Sequence, residues 1–593
     1  MLRRELLATG TAAALGASGG SGFAAPRKIL HAAFPTAEVG FDPPQVSDGS
    51  SLTVIDLIFE APLTYDALAR PALLKPLTAA ALPEISADFK RFVFTIRPGI
   101  VFADDPVFNG RPRELTAADY VYTVKRLYDP TVHSERLYLF ENARLLGLSE
   151  LRKQALVTRA PFPYDTEVAG IRALDRYRFE LRLAVASPRF VYVFAASQNT
   201  GAVAREVVEA YAADLMAHPV GTGPYRLAEW RRSSRVVLER NPRFRELRFD
   251  GVAPPGDEQA AATARELAGQ RLPLVDRIDV SVIEEAQPRW LAFLGGDIDT
   301  VRLPPSFAPL AVPGGHIAPY LAKRGVQARQ TLGASVTHTY FNFDDPQVGG
   351  YTPVKVALRR AIALGCDNAS EARLFYNGQA MPAQSMIAPH NVGYDATLKT
   401  EMGDASPARA NALLDLYGYA RGLDGWRRHP DGTALQLRRA SSQDQRSRQL
   451  NELWQKRMAA IGLHMVFEVA PFGELIKRSL AGQLQMWGFN WTNGPDGEFF
   501  LGLAYGPNAD QSNDARFKLP AFDALYERQS VMPDGPQRLA VMREATKLML
   551  AYMPYIAHVH PIDVDLSHAS VRHLIRHPFK SSWWSFTDVT RPG

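Results

Sequence analysis

One cysteine, Cys366, in 593 residues excludes an intramolecular disulfide. A lone thiol in such a chain reads as a small buried side chain rather than a nucleophile. Excess charge is lacking too. The formal net charge is +5, and no Lys/Arg run has the look of a nucleic-acid arm, so charge argues for solubility and little else. Beyond the N-terminal segment no run of about 18 apolar residues occurs, which excludes a membrane-spanning helix. Catalytic signatures are absent: there is no H-E-x-x-H, no P-loop, and no G-x-S-x-G outside the first residues. An enzyme is not expected.

What is present is ordinary globular material, 46% hydrophobic and 22% charged, long enough for several cores. The N-terminus reads as an export signal over residues 1–25. Arg3 and Arg4 precede a weakly apolar Ala/Gly stretch, and small residues flank Phe23 at a cleavage-site spacing. The arginine pair fits a twin-arginine signal, and an ordinary secretory signal with two basic residues fits it as well. The stretch Pro219-Val220-Gly221-Thr222-Gly223-Pro224-Tyr225 is a glycine-rich turn opening a strand. Gly221 and Gly223 are expected to adopt backbone angles that a Cβ forbids, and Pro224 holds Gly223 extended. A phosphate cradle would need a following helix and a Lys-Ser/Thr pair, and neither is there.

Local patterns predict a strand over 29–34, a helix from Val54 capped at Ser50 or Ser51, and an alternating strand over 92–96 stopped by Pro98-Gly99. They predict a helix capped by Thr116, a hairpin around Asp175-Arg176, and a strand over 275–283. Residues 251–271 read as a surface insertion with one short helix. A strand reaching Phe343 and helices over 353–364, 407–417 and 443–461 follow. The last of these turns Leu450, Leu453, Trp454 and Met458 inward, ahead of a strand over 465–469.

Taken in order, these motifs resemble the oligopeptide/dipeptide-binding family (family 5) of extracellular solute-binding proteins of ABC transporters. Its P-x-GTGPY…W segment is matched by 219–230. Its FE-x-L turn is matched at Phe59-Glu60-Ala61-Pro62-Leu63, and its loop G-x-A-x-P-A at Gly378-Gln379-Ala380-Met381-Pro382-Ala383. The likeness runs from about residue 29 to 588, with the 251–271 insertion. It implies an α/β, two-lobed periplasmic-binding-protein-like fold of the large, three-subdomain type, with a hinge and an interlobe ligand cleft. Lobe 1 would hold residues 26–337, including a subdomain at about 60–170, and would take the chain back over 558–593. Lobe 2 would hold 338–557.

The resemblance also implies a role and a site. The role is capture of a small peptide-like solute in the periplasm and delivery to ABC permease subunits, by a monomer without cofactor or nucleic acid that meets the membrane only through the permease. The segment Val46, Ser47, Asp48, Gly49 falls where relatives pair with the ligand backbone, and a plain surface loop fits the spacing equally. Tyr340 belongs to the expected site as well. The run 485–501 sets Trp487, Asn490 and Trp491 among glycines and amides, as a cleft wall or as a core strand. Relatives carry an amine-anchoring Asp in this loop. Here Asn493 stands at that place, an amide that cannot form the ion pair, and Asp496 either substitutes or caps a turn. Of thirteen histidines, His558, His560, His568, His573 and His577 crowd the C-terminal end. Without acidic or cysteine neighbours they read as structural, with no metal expected. A secreted hydrolase is the rival class, and an oligosaccharide or a metal chelate are rival ligands.

Overall fold

Alternation at 29–34 becomes strand Ile29–Phe34, with Leu30, Ala32 and Phe34 facing inward in a computed structural model that describes residues 27–590. This strand runs parallel to Arg277–Val282, and Arg235–Arg240 and Tyr225–Arg231 complete a four-stranded sheet. A second four-stranded sheet orders Glu84–Ile85, Arg91–Thr95, Arg178–Arg182 and Ile171–Ala173, so the strand predicted over 92–96 pairs with the hairpin predicted around Asp175-Arg176. Helix Ala117–Tyr128 packs on it. Thr116 caps that helix as expected, in a box closed by Asp119, whose carboxylate accepts the Thr116 N–H at 2.7 Å.

The third sheet has nine strands and is organised by the long strand Tyr555–Ser567. One end pairs with Ser335–Phe341, and the other with Thr300–Arg302 and Gln327–Leu332. Residues 337/338 and 557/558 therefore lie inside paired strands.

Burial separates the cores by sequence. The largest draws all its buried members from between Val336 and Ala557, a second from between Leu63 and Val220, and a third from 30–59, 203–280 and 574–589 with Tyr122. The helix predicted over 443–461 is Gln445–Ala460, and Trp454 and Met458 are fully buried beneath it. The insertion forms helix Glu258–Leu267. Its ends are pinned by pairing of Leu247–Arg248 with Arg271–Leu272, and it buries Leu267 against Leu68, Phe249 and Ile575. Among the described residues no helix is long and apolar enough to cross a membrane. Cys366 is fully buried, and burial pushes its thiol up to about 12, so it is a core side chain at neutral pH.

Candidate functional site

The glycine-rich stretch acts at the site from behind. A Cβ on Gly221 would lie 2.0 Å from the Ile58 carbonyl oxygen, and one on Gly223 2.5 Å from that of Leu57. Neither glycine has a positive φ. The expectation of forbidden backbone angles is thus corrected: close approach to the end of helix Gly49–Ile58 demands glycine here. The Gly223 N–H donates to the Ile58 carbonyl at 2.8 Å. Thr222 donates to buried Glu60 at 2.9 Å, and Arg245 grips the same carboxylate at 2.7 and 2.9 Å. The stretch anchors the C-terminal end of the helix whose N-terminal end carries residues 46–49.

That N-terminal segment is extended, with Val46 at φ −130°, ψ 146° and Asp48 at φ −71°, ψ 144°. A buried pair holds the preceding loop, Asp42 accepting two bonds from Arg126 at 2.9 Å each. The helix cap is Asp48, which accepts the Ser51 N–H at 2.8 Å. Ser50 and Ser51, the expected caps, instead bond the 36–40 loop: Ser50 donates to the Thr36 carbonyl and Ser51 accepts from Val39. Val46 is buried and its carbonyl accepts from Arg136 at 2.8 Å. Ser47 is half-buried and Gly49 exposed, with open space where its Cβ would be. The second oxygen of Asp48 is buried without a partner, and burial raises its pKa despite the Ser51 hydrogen bonds, with Glu38 adding to the rise.

The other expected site residues are built on strand Ser335–Phe341. Strands Met486–Trp487 and Asn490–Thr492 both pair with it, Tyr340 opposite Trp487 and Thr337 opposite Asn490. Between them Gly488 passes so close that a Cβ would lie 2.0 Å from the His338 carbonyl oxygen. Strand alternation sends these residues to different places. Asn490 is exposed and Trp491 half-buried, its indole N–H enclosed with no acceptor. Trp487, 2% exposed, packs on Phe472 and Phe489. Tyr340, 1% exposed, hydrogen-bonds Ser479 at 2.8 Å, and Ser479 donates to Asp514 at 2.5 Å. Both face packing, contrary to their expected place in the cleft.

Asn493 reaches across the molecule. Its side-chain N–H donates to the Tyr138 hydroxyl at 2.9 Å, and its carbonyl accepts from Gly494. Asp496 has no charge to spare: it is 1% exposed and clamped by Arg538 at 2.6 and 2.8 Å. Its counter-ion is already in the fold. Arg189, also buried, brings the 187–189 turn into the same network, donating to Glu498 at 3.1 Å and to the carbonyls of Gln529, Ser530 and Met532.

Sequence reasoning missed several residues that meet across the opening. Besides Arg136 and Tyr138 there is Gln511, which donates to Glu141 at 3.2 Å; next to it in the chain are Ser512, whose hydroxyl is buried without a partner, and Asp514, bonded by Ser479. Burial pushes the Asp514 carboxyl up to about 7. Local patterning carries no signal for such long-range meetings. The clustered histidines are occupied separately. His558 lies between Thr339 and Asn368, His560 bonds the Ser335 carbonyl, and burial pushes His560 down to about 4.

Comparison with known proteins agrees with this architecture. The chain is 24% identical over 570 residues to the di/tripeptide-binding protein 2 of Pseudomonas aeruginosa, covering 92% of each chain. Its fold is similar to that of the periplasmic binding protein DppA of Helicobacter pylori, solved with the peptide STSA, at TM-score 0.76 and 17% identity over 95% of this chain and 99% of that one. The oligopeptide-binding protein AppA of Bacillus subtilis, solved with a nonapeptide, gives TM-score 0.76 at 14% identity, over 95% and 100% of the two chains. Residues 74–512 match the model of the bacterial extracellular solute-binding proteins, family 5 Middle. With about three quarters of its length under that model and the two-lobed mixed α/β fold in place, the chain belongs to family 5 of the bacterial extracellular solute-binding proteins.

Proposed function

We propose that the protein is the extracytoplasmic solute-binding component of an ABC importer, that it binds without turnover, and that it hands a peptide-like solute to membrane permease subunits. The solute lies between a lobe of residues 26–337 with 558–593 and a lobe of 338–557. What supports this reading is a pair of bonds from one short segment: Arg136 donates to the Val46 carbonyl and Tyr138 accepts from Asn493, with the Trp491 indole N–H left over. An enclosed donor without an acceptor is the kind of group that a ligand carbonyl satisfies. Separate cores for 336–557 and for the preceding chain support two lobes that close on each other. The binding roles in the names of the relatives support a peptide, and their periplasmic placement supports export through residues 1–25, which lie outside the described residues together with the expected twin-arginine pair.

The carboxylate left for a ligand ammonium is Asp48, since Asp496 is paired and position 493 is an amide. Calorimetry of one peptide and its N-acetylated twin tests this on wild type, Asp48→Asn and Asn493→Asp. Free-amine preference is expected in wild type, lost in Asp48→Asn and increased by about tenfold in Asn493→Asp, the scale of one charge-assisted hydrogen bond. Equal binding of both twins by all three proteins refutes the anchoring, and no binding of any peptide refutes the solute class.

A further inference from the structure

Residues 574–580 collect basic groups from four parts of the chain. Arg329, on strand Gln327–Leu332, donates to the Leu574 carbonyl at 2.6 Å, and Arg70 donates to the Arg576 carbonyl at 2.9 Å. Lys580 reaches Thr64 at 3.0 Å. The His577 ring stacks on Tyr65, centroids 5.3 Å apart and planes within 15°. His390, from the loop after 383, bonds the Leu332 carbonyl at 3.1 Å. Among the described residues Arg70, Arg329 and Lys580 have no ion-pair partner, although most neighbouring acids are engaged. Asp565 belongs to Arg576 at 2.5 and 2.6 Å. Asp66 accepts from Leu68, Ala69 and Val252 and meets Lys75, and Asp257 caps helix Glu258–Leu267.

A second observation is independent of the charges. Nδ1 of His577 accepts the Phe579 N–H at 3.1 Å, so the ring proton sits on Nε2. That Nε2–H is enclosed, in a residue 6% exposed, and has no acceptor. Burial, and after it Arg70 and Lys580, push His577 well down, while burial with its neighbour Arg329 brings Arg70 down to about 10 against the pull of Asp66 and Asp257. Carbonyls and the Thr64 hydroxyl take part of the donors here, acids act on Arg70 and Arg329 only from beyond ion-pair distance, and the His577 N–H is left without an acceptor.

The place is a flank of the cleft. Strand Gln327–Leu332 turns at Gly333-Ala334 into Ser335–Phe341, and Thr492 donates to the Ala334 carbonyl at 3.1 Å, one residue from Asn493. The His390 loop continues to Val392, which bridges Asp496.

We infer that Arg70, Arg329, Lys580 and His577 form an anion site that receives a carboxylate or phosphate group of the captured solute. Guanidinium forks suit the paired oxygens of either group, and the ammonium and imidazole N–H complete its shell. The inference extends the proposed role and rests on it for the word solute, whereas the anion site stands without it.

Inorganic phosphate, titrated at matched ionic strength against the mature chain and followed by calorimetry and by thermal upshift over chloride, tests the site itself. Saturable binding is expected in wild type, with about tenfold loss in Arg329→Gln and in Lys580→Gln. His577→Phe keeps the stack on Tyr65 and removes the N–H, and it should weaken phosphate without lowering the melting temperature in chloride. Absence of phosphate binding by wild type, or binding unchanged in all three variants, overturns the site. The second arm compares a peptide with its carboxamide twin. Preference for the free carboxylate in wild type, lost in the variants, supports the assignment to the solute; equal binding of the twins overturns it. Phosphate binding that follows the variants while no peptide binds upholds the anion site and overturns the peptide class.

Discussion

Asp496→Asn separates a ligand group from a structural one. Asp496 and Arg538 are 1% and 0% exposed, joined by two bonds of 2.6 and 2.8 Å. Removing one charge from such a pair strands the other in low dielectric, typically at about 3–5 kcal/mol. Two features reduce that figure: Asn still accepts the Glu498 N–H, and Arg538 keeps Glu498 at 3.3 Å and Asp534 at 3.0 Å. An expected loss of about 2–4 kcal/mol results, read as a lower urea midpoint of the 336–557 core. Arg538→Met should cost at least as much, because it leaves Asp496 beside Glu498, two carboxylates with one remaining guanidinium, that of Arg189. The double variant should be more stable than the sum of the singles requires, since neither charge is then stranded. Peptide affinity per folded molecule should hold in Asp496→Asn. An unchanged midpoint together with lost affinity for free-amine peptides would refute the pairing argument and make Asp496 a ligand residue.

Trp491→Ala should weaken solute binding by about 1–3 kcal/mol with little loss of stability, whereas Trp487→Ala should cost about 3–5 kcal/mol of folding; calorimetry and denaturant unfolding on both variants check the split. Asp514 carries a carboxyl raised by burial from 3.8 to about 7, so between those values the folded protein holds a proton that the unfolded chain has lost. Stability from this group falls as pH rises through that window, at up to about 1.4 kcal/mol per pH unit, and levels off above it. Asp514→Asn should therefore gain stability over wild type at pH 8 and little at pH 4, and an equal melting difference at both would contradict the burial. Replacing Arg3 and Arg4 by lysine should hold the protein in the cytoplasm, as cell fractionation would show, and undiminished export would assign an ordinary secretory signal.

What was legible in the chain was local. Thr116 as a cap, the hairpin at Asp175-Arg176 and the helix around Trp454 each depend on residues within a few positions, and each forms where the pattern puts it. The error at Ser50 and Ser51 is local as well. Three capping residues, Asp48, Ser50 and Ser51, stand within four positions, and the loop at 36–40 decides which is free to cap. Gly221 and Gly223 read as turn glycines because the helix end they touch is some 160 positions away in the chain. Resemblance assigned Tyr340 and Trp487 to a cleft wall, but strand alternation and packing bury both side chains.

The charges carry the remaining difference between sequence and site. An aspartate looks the same in a sequence whether its counter-ion is a neighbour or a ligand. Asp496 is answered by Arg538, 42 positions later, and Asp42 by Arg126, 84 positions later. Asp48 spends one oxygen on its helix and leaves the other enclosed and unanswered. On the positive side Arg538 and Arg126 are ion-paired within the fold, while among the described residues Arg70, Arg329 and Lys580 are not. Burying an unanswered charge is costly, and a binding protein tolerates that cost where the closed, ligand-bound form repays it. On the function proposed above, the unpaired groups rather than the aligned ones would choose the ligand: an acid at 48 calls for a cation, and the bases around His577 call for an anion.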